Sequence, residues 1–224
     1  MRRQIYKTVK VLLLFMAAIG FAYATGTFLP NKYAIDRVTE EARAEHANWA
    51  IKLGLHPPSM QYKTNKEFII ELNKCVDFLN FTTQPQDRVP IEMLTGQAVL
   101  ESGWGTSRFA REANNLFGIR TWDKSMGILP EGMSKKTAWR VRKFDTKCDS
   151  VKEYIRILNT HPAYEEYRKM RDTMLANNLP LDAKKLIKTL TKFSTTEDYA
   201  KRTIRVMGEV EELMKEPEKT KPKK

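Results

Sequence analysis

Two cysteines and three histidines are all that 224 residues hold of the strongest metal ligands. Three imidazoles without an acidic cluster beside them make no metal site, and no zinc, P-loop or dinucleotide-binding pattern is present. Neither a metal nor a cofactor is expected. Acidic residues are also short, 27 against 39 Lys and Arg, which leaves a formal charge of +12. An excess of that size suits an anionic polymer as partner. Nucleic acid is the usual one, but the N-terminus argues against it. Long apolar runs are scarce too, and the one that exists opens the chain. Arg2, Arg3, Lys7 and Lys10 precede it without any acid, residues 11–21 are almost wholly apolar, and Ala22-Tyr23-Ala24 has the small-x-small form of a signal peptidase site. The apolar stretch falls short of the ~20 residues of a spanning helix. Residues 1–24 are therefore expected to be a cleaved export signal, with an uncleaved membrane anchor as the alternative. Loss of this segment removes four cations and no acid, leaving +8.

About 200 residues remain, enough for one core and short for two. Export permits a disulfide between Cys75 and Cys148, but a core of this size does not need one. Cys75 belongs to an apolar helical stripe with Phe68, Leu72 and Leu79. A buried thiol is the expectation, and the bridge is the alternative.

Residues 25–60 read as a connector or stalk. Residues 37–45 are helix-prone with a thin apolar face, and His56-Pro57-Pro58 ends the stretch. The domain proper is expected over 61–214. Residues 64–82 form an amphipathic helix, and 83–88 a loop that feeds a second helix with Pro90 in its first turn. A short helix capped by Thr106 or Ser107 follows. Residues 116–122 and 138–144 alternate at period two and predict a hairpin joined by a long connection. Helices are expected again at 151–159, 163–175, 182–190 and 197–214. Residues 215–224 are charged and broken by proline, as in a disordered basic tail.

Glu101 is the most informative residue. Leu94, Ala98 and Glu101 fall on one helical face at i, i+4 and i+7, so the buried stripe ends in a carboxyl group. Gly103 follows where a helix C-terminus is commonly closed. Unpaired carbonyls and partial withdrawal from water both disfavour the carboxylate and raise its pKa. A carboxylic acid kept protonated near neutral pH is what protonates a leaving-group oxygen.

Glu101-Ser102-Gly103-Trp104-Gly105, then Phe109-Ala110 and Asn114-Asn115-Leu116-Phe117-Gly118-Ile119, resembles the glucosaminidase domain of glycoside hydrolase family 73. Gly127-Ile128-Leu129-Pro130 and Asn159-Thr160-His161-Pro162-Ala163-Tyr164 look like the Bax branch of that group. The resemblance runs from about residue 89 to about residue 200. It implies an α+β, predominantly helical, lysozyme-like fold with a small β-hairpin lobe. It also implies an endo-β-N-acetylglucosaminidase that hydrolyses the β-1,4 bond after N-acetylglucosamine in peptidoglycan, in the periplasm or cell envelope. Glu101 matches the family's general acid, and the glycan strands of peptidoglycan would be the partner of a monomer.

The family's usual second acid, in the β lobe, is missing. Counting back from Phe144 places it near Ile128, so Glu131 qualifies only through a shifted register, with Asp123 next. A 2-acetamido sugar carries its own nucleophile, and substrate-assisted hydrolysis needs no second carboxylate. Tyr199 matches a late family tyrosine whose hydroxyl would orient the acetamido group or the attacking water. Phe117, Trp122, Trp139 and Tyr164 are candidate sugar platforms, and Asn115 a candidate cleft residue. Asn114 is read as structural, and Trp104 as packed under the helix junction. A lytic transglycosylase is the enzymatic alternative, although Asn-Asn-Leu-Phe-Gly-Ile stands where its Gly-Leu-Met-Gln-like signature belongs. An inactive peptidoglycan-binding module is the alternative from another class.

Overall fold

The computed structural model describes residues 2–24 and 32–217. The chain divides into two units, residues 1–55 and 56–224. The first carries α1 (Arg2–Ala24) and α2 (Lys32–Lys52). Helix α1 exposes Leu12, Leu13, Leu14, Phe15 and Met16 along its middle. Residues 3–24 are long and apolar enough to cross a membrane by length and composition, and an export signal passes the same test. The shortness of the apolar run is thus no argument against an anchor, because helical turns at both ends extend it. The connector holds a 21-residue helix rather than a short one. Residues 25–31 lie outside the described residues.

The second unit begins before residue 61, since Met60 is already buried. Helix α3 (Asn65–Thr82) opens on a capping box. Thr64 accepts from the Glu67 amide, and the Glu67 carboxylate accepts from the Thr64 amide. Phe68, Leu72, Cys75, Val76 and Leu79 form its buried stripe. Fully burying one such large aliphatic or aromatic side chain contributes about 1.5–3 kcal/mol. Helix α4 (Ile91–Ser102) is covered on nearly all sides, with Met93 to Val99 buried without a break. It lies closely along α9 (Tyr199–Lys215). A Cβ on Gly96 would come within 2.7 Å of Met207 Cγ, so the approach of the two helices depends on that glycine. Helix α9 presents Tyr199, Thr203, Val206 and Met207 as its buried residues.

Cys75 on α3 and Cys148 at the start of α6 (Lys147–Thr160) are joined in a disulfide. The expected free thiol is corrected. The buried stripe of α3 faces the first turn of α6, a proximity that spacing along the chain does not encode. Between α5 (Arg108–Glu112) and α6 lies a three-stranded antiparallel sheet with order β1-β3-β2. Strand β1 (Arg120–Thr121) pairs with β3 (Arg140–Arg142) as the hairpin reading requires, Arg120 opposite Val141. The connection between them is not all loop. It supplies β2 (Gly127–Ile128), which pairs with the other edge of β3. Helices α7 (Glu165–Ala176) and α8 (Ala183–Lys188) precede α9, which runs to Lys215. The order is helices, small β lobe, helices, an α+β arrangement with the element order expected from the resemblance. Most of the expected basic tail, residues 218–224, lies outside the described residues.

Candidate active site

Helix α4 carries no charged side chain between Glu92 and Glu101. It ends in a turn in which Gly103, Trp104 and Gly105 are successively left-handed, with φ of 56°, 59° and 72°. That conformation costs a residue with a side chain about 1–2 kcal/mol, a charge that falls on Trp104. Surrounding bonds hold the turn. Ser102, fully buried, accepts from the Gly105 amide at 2.8 Å and donates to the Ala98 carbonyl. The Tyr62 hydroxyl donates to the Gly105 carbonyl at 2.8 Å. A Cβ on Gly105 would stand 2.2 Å from that hydroxyl and 2.7 Å from Phe68, so only glycine fits. The Trp104 ring packs partly buried against the core. Backbone strain held by over-determined contacts is typical of functional sites.

Glu101 stands at the rim of this turn, open to solvent on one side. On the other side it faces α9, whose Tyr199 hydroxyl and Arg202 guanidinium both bear on its carboxyl. Desolvation by the surrounding protein pushes its carboxyl pKa up. The Tyr199 hydroxyl and the Arg202 guanidinium pull it down, and desolvation prevails. The raised pKa expected from the helix end and from partial withdrawal from water is present, through the second of those causes. Burial is the cause that raises it, and the two α9 groups act against that rise.

Behind Glu101 lies a buried polar chain. Tyr154 on α6 donates to the Gln97 side-chain oxygen, and Gln97 Nε2 donates to the Tyr199 hydroxyl at 2.8 Å. All three are buried, Gln97 completely and Tyr199 to 6% exposure. Burial and the neighbouring acid hold the Tyr199 hydroxyl far above its ordinary range, so it remains protonated. Gln97 and Arg202 escaped the sequence reading, although both carried a signal. Gln97 is a polar residue in an apolar helical run, four positions before Glu101, and Arg202 follows Tyr199 by one helical step.

The remaining candidates separate clearly. Asn115 is buried, donates to the Ile119 and Arg142 carbonyls and accepts from the Phe117 and Ile119 amides. Both its donors and its oxygen are committed to backbone, so it is a brace of the lobe rather than a cleft residue. Asn114, left-handed at φ 52°, donates to the Phe144 and Asp145 carbonyls, the structural part expected of it. Phe117 is buried and stacks on Tyr154 with centroids 4.1 Å apart, which leaves no face for a sugar. Tyr164 is 8% exposed and lies among His161 and Phe193. Both rings belong to the core because the helical layers close over them. Trp139 is half-buried, with the Arg120 guanidinium 4.0 Å from its ring centre. Trp122, 71% exposed, keeps its ring open. Asp123 caps the short turn after β1, accepting from the Ser125 amide at 2.9 Å and its hydroxyl at 2.6 Å. Those bonds hold its carboxyl below the usual range. Glu131 is exposed in the turn closed by the Met133 amide on the Pro130 carbonyl. No group of His, Cys, Asp and Glu able to hold a metal occurs among the described residues.

A family model described as mannosyl-glycoprotein endo-beta-N-acetylglucosaminidase matches residues 82–212, more than half the chain, with Gln97, Glu101, Tyr154, Tyr199 and Arg202 inside it. The chain belongs to the glucosaminidase family. The family-73 resemblance of the Glu101 motif is thereby borne out. Protein bax of Escherichia coli K12 is 36% identical over 112 residues, 49% of this chain and 38% of that protein. Peptidoglycan hydrolase FlgJ of Escherichia coli O157:H7 is 30% identical over 35% of this chain and 29% of its own. Exo-glucosaminidase LytG of Bacillus subtilis is 29% identical over 46% and 38%. The matches thus span less than half the length of each of these relatives. Among solved structures, the catalytic domain of the Listeria monocytogenes autolysin Auto matches with a TM-score of 0.45 and 18% identity, over 75% of this chain and 94% of that one.

Proposed function

We propose that this protein is an exported peptidoglycan hydrolase that cleaves the β-1,4 bond after N-acetylglucosamine, with Glu101 as general acid. The observation that carries the reading is the Glu101 carboxyl, raised in pKa by desolvation at the end of a buried helix and lying within the glucosaminidase match. The peptidoglycan substrate is favoured by the relative named a peptidoglycan hydrolase and by the excess of cations. Delivery to the envelope is favoured by the apolar α1 and by a buried disulfide, which persists in oxidising compartments.

In the proposed step Glu101 gives its proton to the bridging oxygen as the bond to the anomeric carbon breaks. Water adds to that carbon and returns a proton to solvent or to the Glu101 carboxylate. Two routes bring the water in. In the first the substrate's acetamido oxygen attacks the anomeric carbon, and water then opens the ring so formed. In the second Glu131 takes the missing acid's place and deprotonates the water. Tyr199, whose hydroxyl bears on Glu101, serves the first route by fixing the acid beside the acetamido group. Trp122, with its ring open, and Trp139 remain the sugar platforms of this reading.

Glu101→Gln keeps the shape and removes the proton. Turnover on purified sacculi should fall by a factor on the order of 10² to 10⁴, and near wild-type activity would rule the acid out. The products should carry reducing N-acetylglucosamine, released from within strands if the enzyme is endo-acting and from strand ends if it is exo-acting. 1,6-Anhydro-muramic acid as the main new terminus would mark a transglycosylase instead. Tyr199→Phe should cost more than Glu131→Gln, which should stay within about tenfold. The reverse ranking would assign the water-activating role to Glu131.

A further inference from the structure

Gln97 has no path to substrate. It is wholly buried on α4, one turn before Glu101, between a phenol of α6 and a phenol of α9. Its amide has two unlike ends, and the structure uses each once. The oxygen accepts from Tyr154, and the nitrogen donates to Tyr199. A phenol whose oxygen already accepts from an amide directs its own proton elsewhere, and the acidic group that bears on the Tyr199 hydroxyl is the Glu101 carboxyl. The Tyr199 backbone is tied down as well, since its carbonyl accepts from the buried Thr203 hydroxyl at 2.9 Å. Tyr154 is pinned by its ring, stacked on Phe117 and edge-on to Phe193. Every link therefore sits in a packed core with little freedom to reorient.

We propose that Gln97 and Tyr154 are positioning residues that polarise the chain Tyr154–Gln97–Tyr199–Glu101, so that Tyr199 always donates to Glu101 and the acid's own proton is left on the carboxyl oxygen facing the cleft. The inference rests on Glu101 being the general acid. Its physical basis is directional. A hydrogen bond given to the ionised form of a carboxyl favours that form, and consecutive bonds strengthen one another. Three ionisable side chains bear on Glu101 in this arrangement, Tyr199 and Arg202 from α9 and Tyr154 from α6. Only the two phenols are linked through Gln97. Arg202 acts through its charge and is indifferent to the direction of the chain.

The test is the pH profile of kcat/KM on peptidoglycan, whose alkaline limb follows deprotonation of the free enzyme's acid. Tyr199→Phe deletes the donor to the carboxylate, so the limb should move up by about one pH unit, a tenfold change in the protonation equilibrium. Gln97→Met keeps the side-chain length and removes both polar ends. It should move the limb in the same direction by less, and Tyr154→Phe by less again. In the Tyr199→Phe background, Gln97→Met should produce no further shift, because its path to Glu101 runs through that hydroxyl. A uniform fall in rate with the limb unmoved in Gln97→Met would make Gln97 a packing residue and overturn the proposal. An additional shift in the double variant would overturn it too. If Gln97→Met does not fold, Tyr154→Phe, which loses one oxygen and keeps the stacked ring, decides the matter by the same readout. Full activity in Glu101→Gln, by contrast, would sink the general-acid reading itself.

Discussion

Reducing the Cys75–Cys148 disulfide should destabilise the folded domain far more than it disturbs the site. The bridge spans 73 residues and joins the middle of α3 to the first turn of α6. In the chain-entropy account, a loop of that length restricts the unfolded ensemble by about 4 kcal/mol at 25 °C. With an m-value of about 2 kcal/mol per molar urea, the denaturation midpoint should fall by roughly 2 M. The melting temperature should fall by roughly 10–15 °C, given about 2–4 °C per kcal/mol for a domain of this size. Both sulfurs are buried, so reduction requires partial unfolding and is best done under denaturant before refolding. Refolded reduced protein and the Cys75→Ala/Cys148→Ala variant should agree within the cost of two small cavities. Activity at 25 °C should persist, because Tyr154, two turns along α6, keeps its hydrogen bond to Gln97 without the bridge. Two thiols reacting quantitatively with a thiol reagent in unreduced, unfolded protein would refute the pairing. A midpoint shift below about 0.5 M would refute the entropy argument.

Gly105→Ala combines a left-handed backbone with a methyl pressed onto Tyr62 and Phe68. It should cost about 2–4 kcal/mol in equilibrium denaturation, and a loss below about 1 kcal/mol would show that the turn is not held as described. The Glu101 carboxyl, raised in the folded state, favours folding most when protonated. Its contribution is complete below the unfolded pKa and is lost as pH rises through the folded one. Glu101→Gln should therefore be at least as stable as wild type at neutral pH. That difference should vanish on acidification, and thermal melts of both proteins at two pH values would expose the opposite trend.

Local signals in this chain were legible because short-range physics decides them. Thr64 with Glu67 three residues on marks a helix start, and Gly103 past an apolar run marks a helix end. Alternation in residues 116–122 and 138–144 finds the pair β1–β3 but not β2, since two residues are too few to show a period. The Glu-Ser-Gly-Trp-Gly motif singled out Glu101 as the proposed acid, as its left-handed turn imposes strict local demands on residue type. Alternation and aromatic character misplaced Phe117 and Tyr164, because a ring that stacks on a sugar and a ring that stacks on a neighbouring tyrosine are the same letter in the sequence.

The sequence by itself determined the helices, the motif around Glu101 and the family, each encoded within a few turns of chain or in a contiguous motif. Tertiary structure alone decided which partners those pieces meet. Cys75 pairs with Cys148 because α3 faces α6. Gln97 lies between Tyr154 and Tyr199 because three helices converge behind Glu101, and no spacing rule reaches across the 57 and 102 residues that separate those contacts. Desolvation depends on what surrounds a group in three dimensions, so the degree to which Glu101 holds its proton was settled by its burial in the fold, with Tyr199 and Arg202 of α9 acting in the opposite sense.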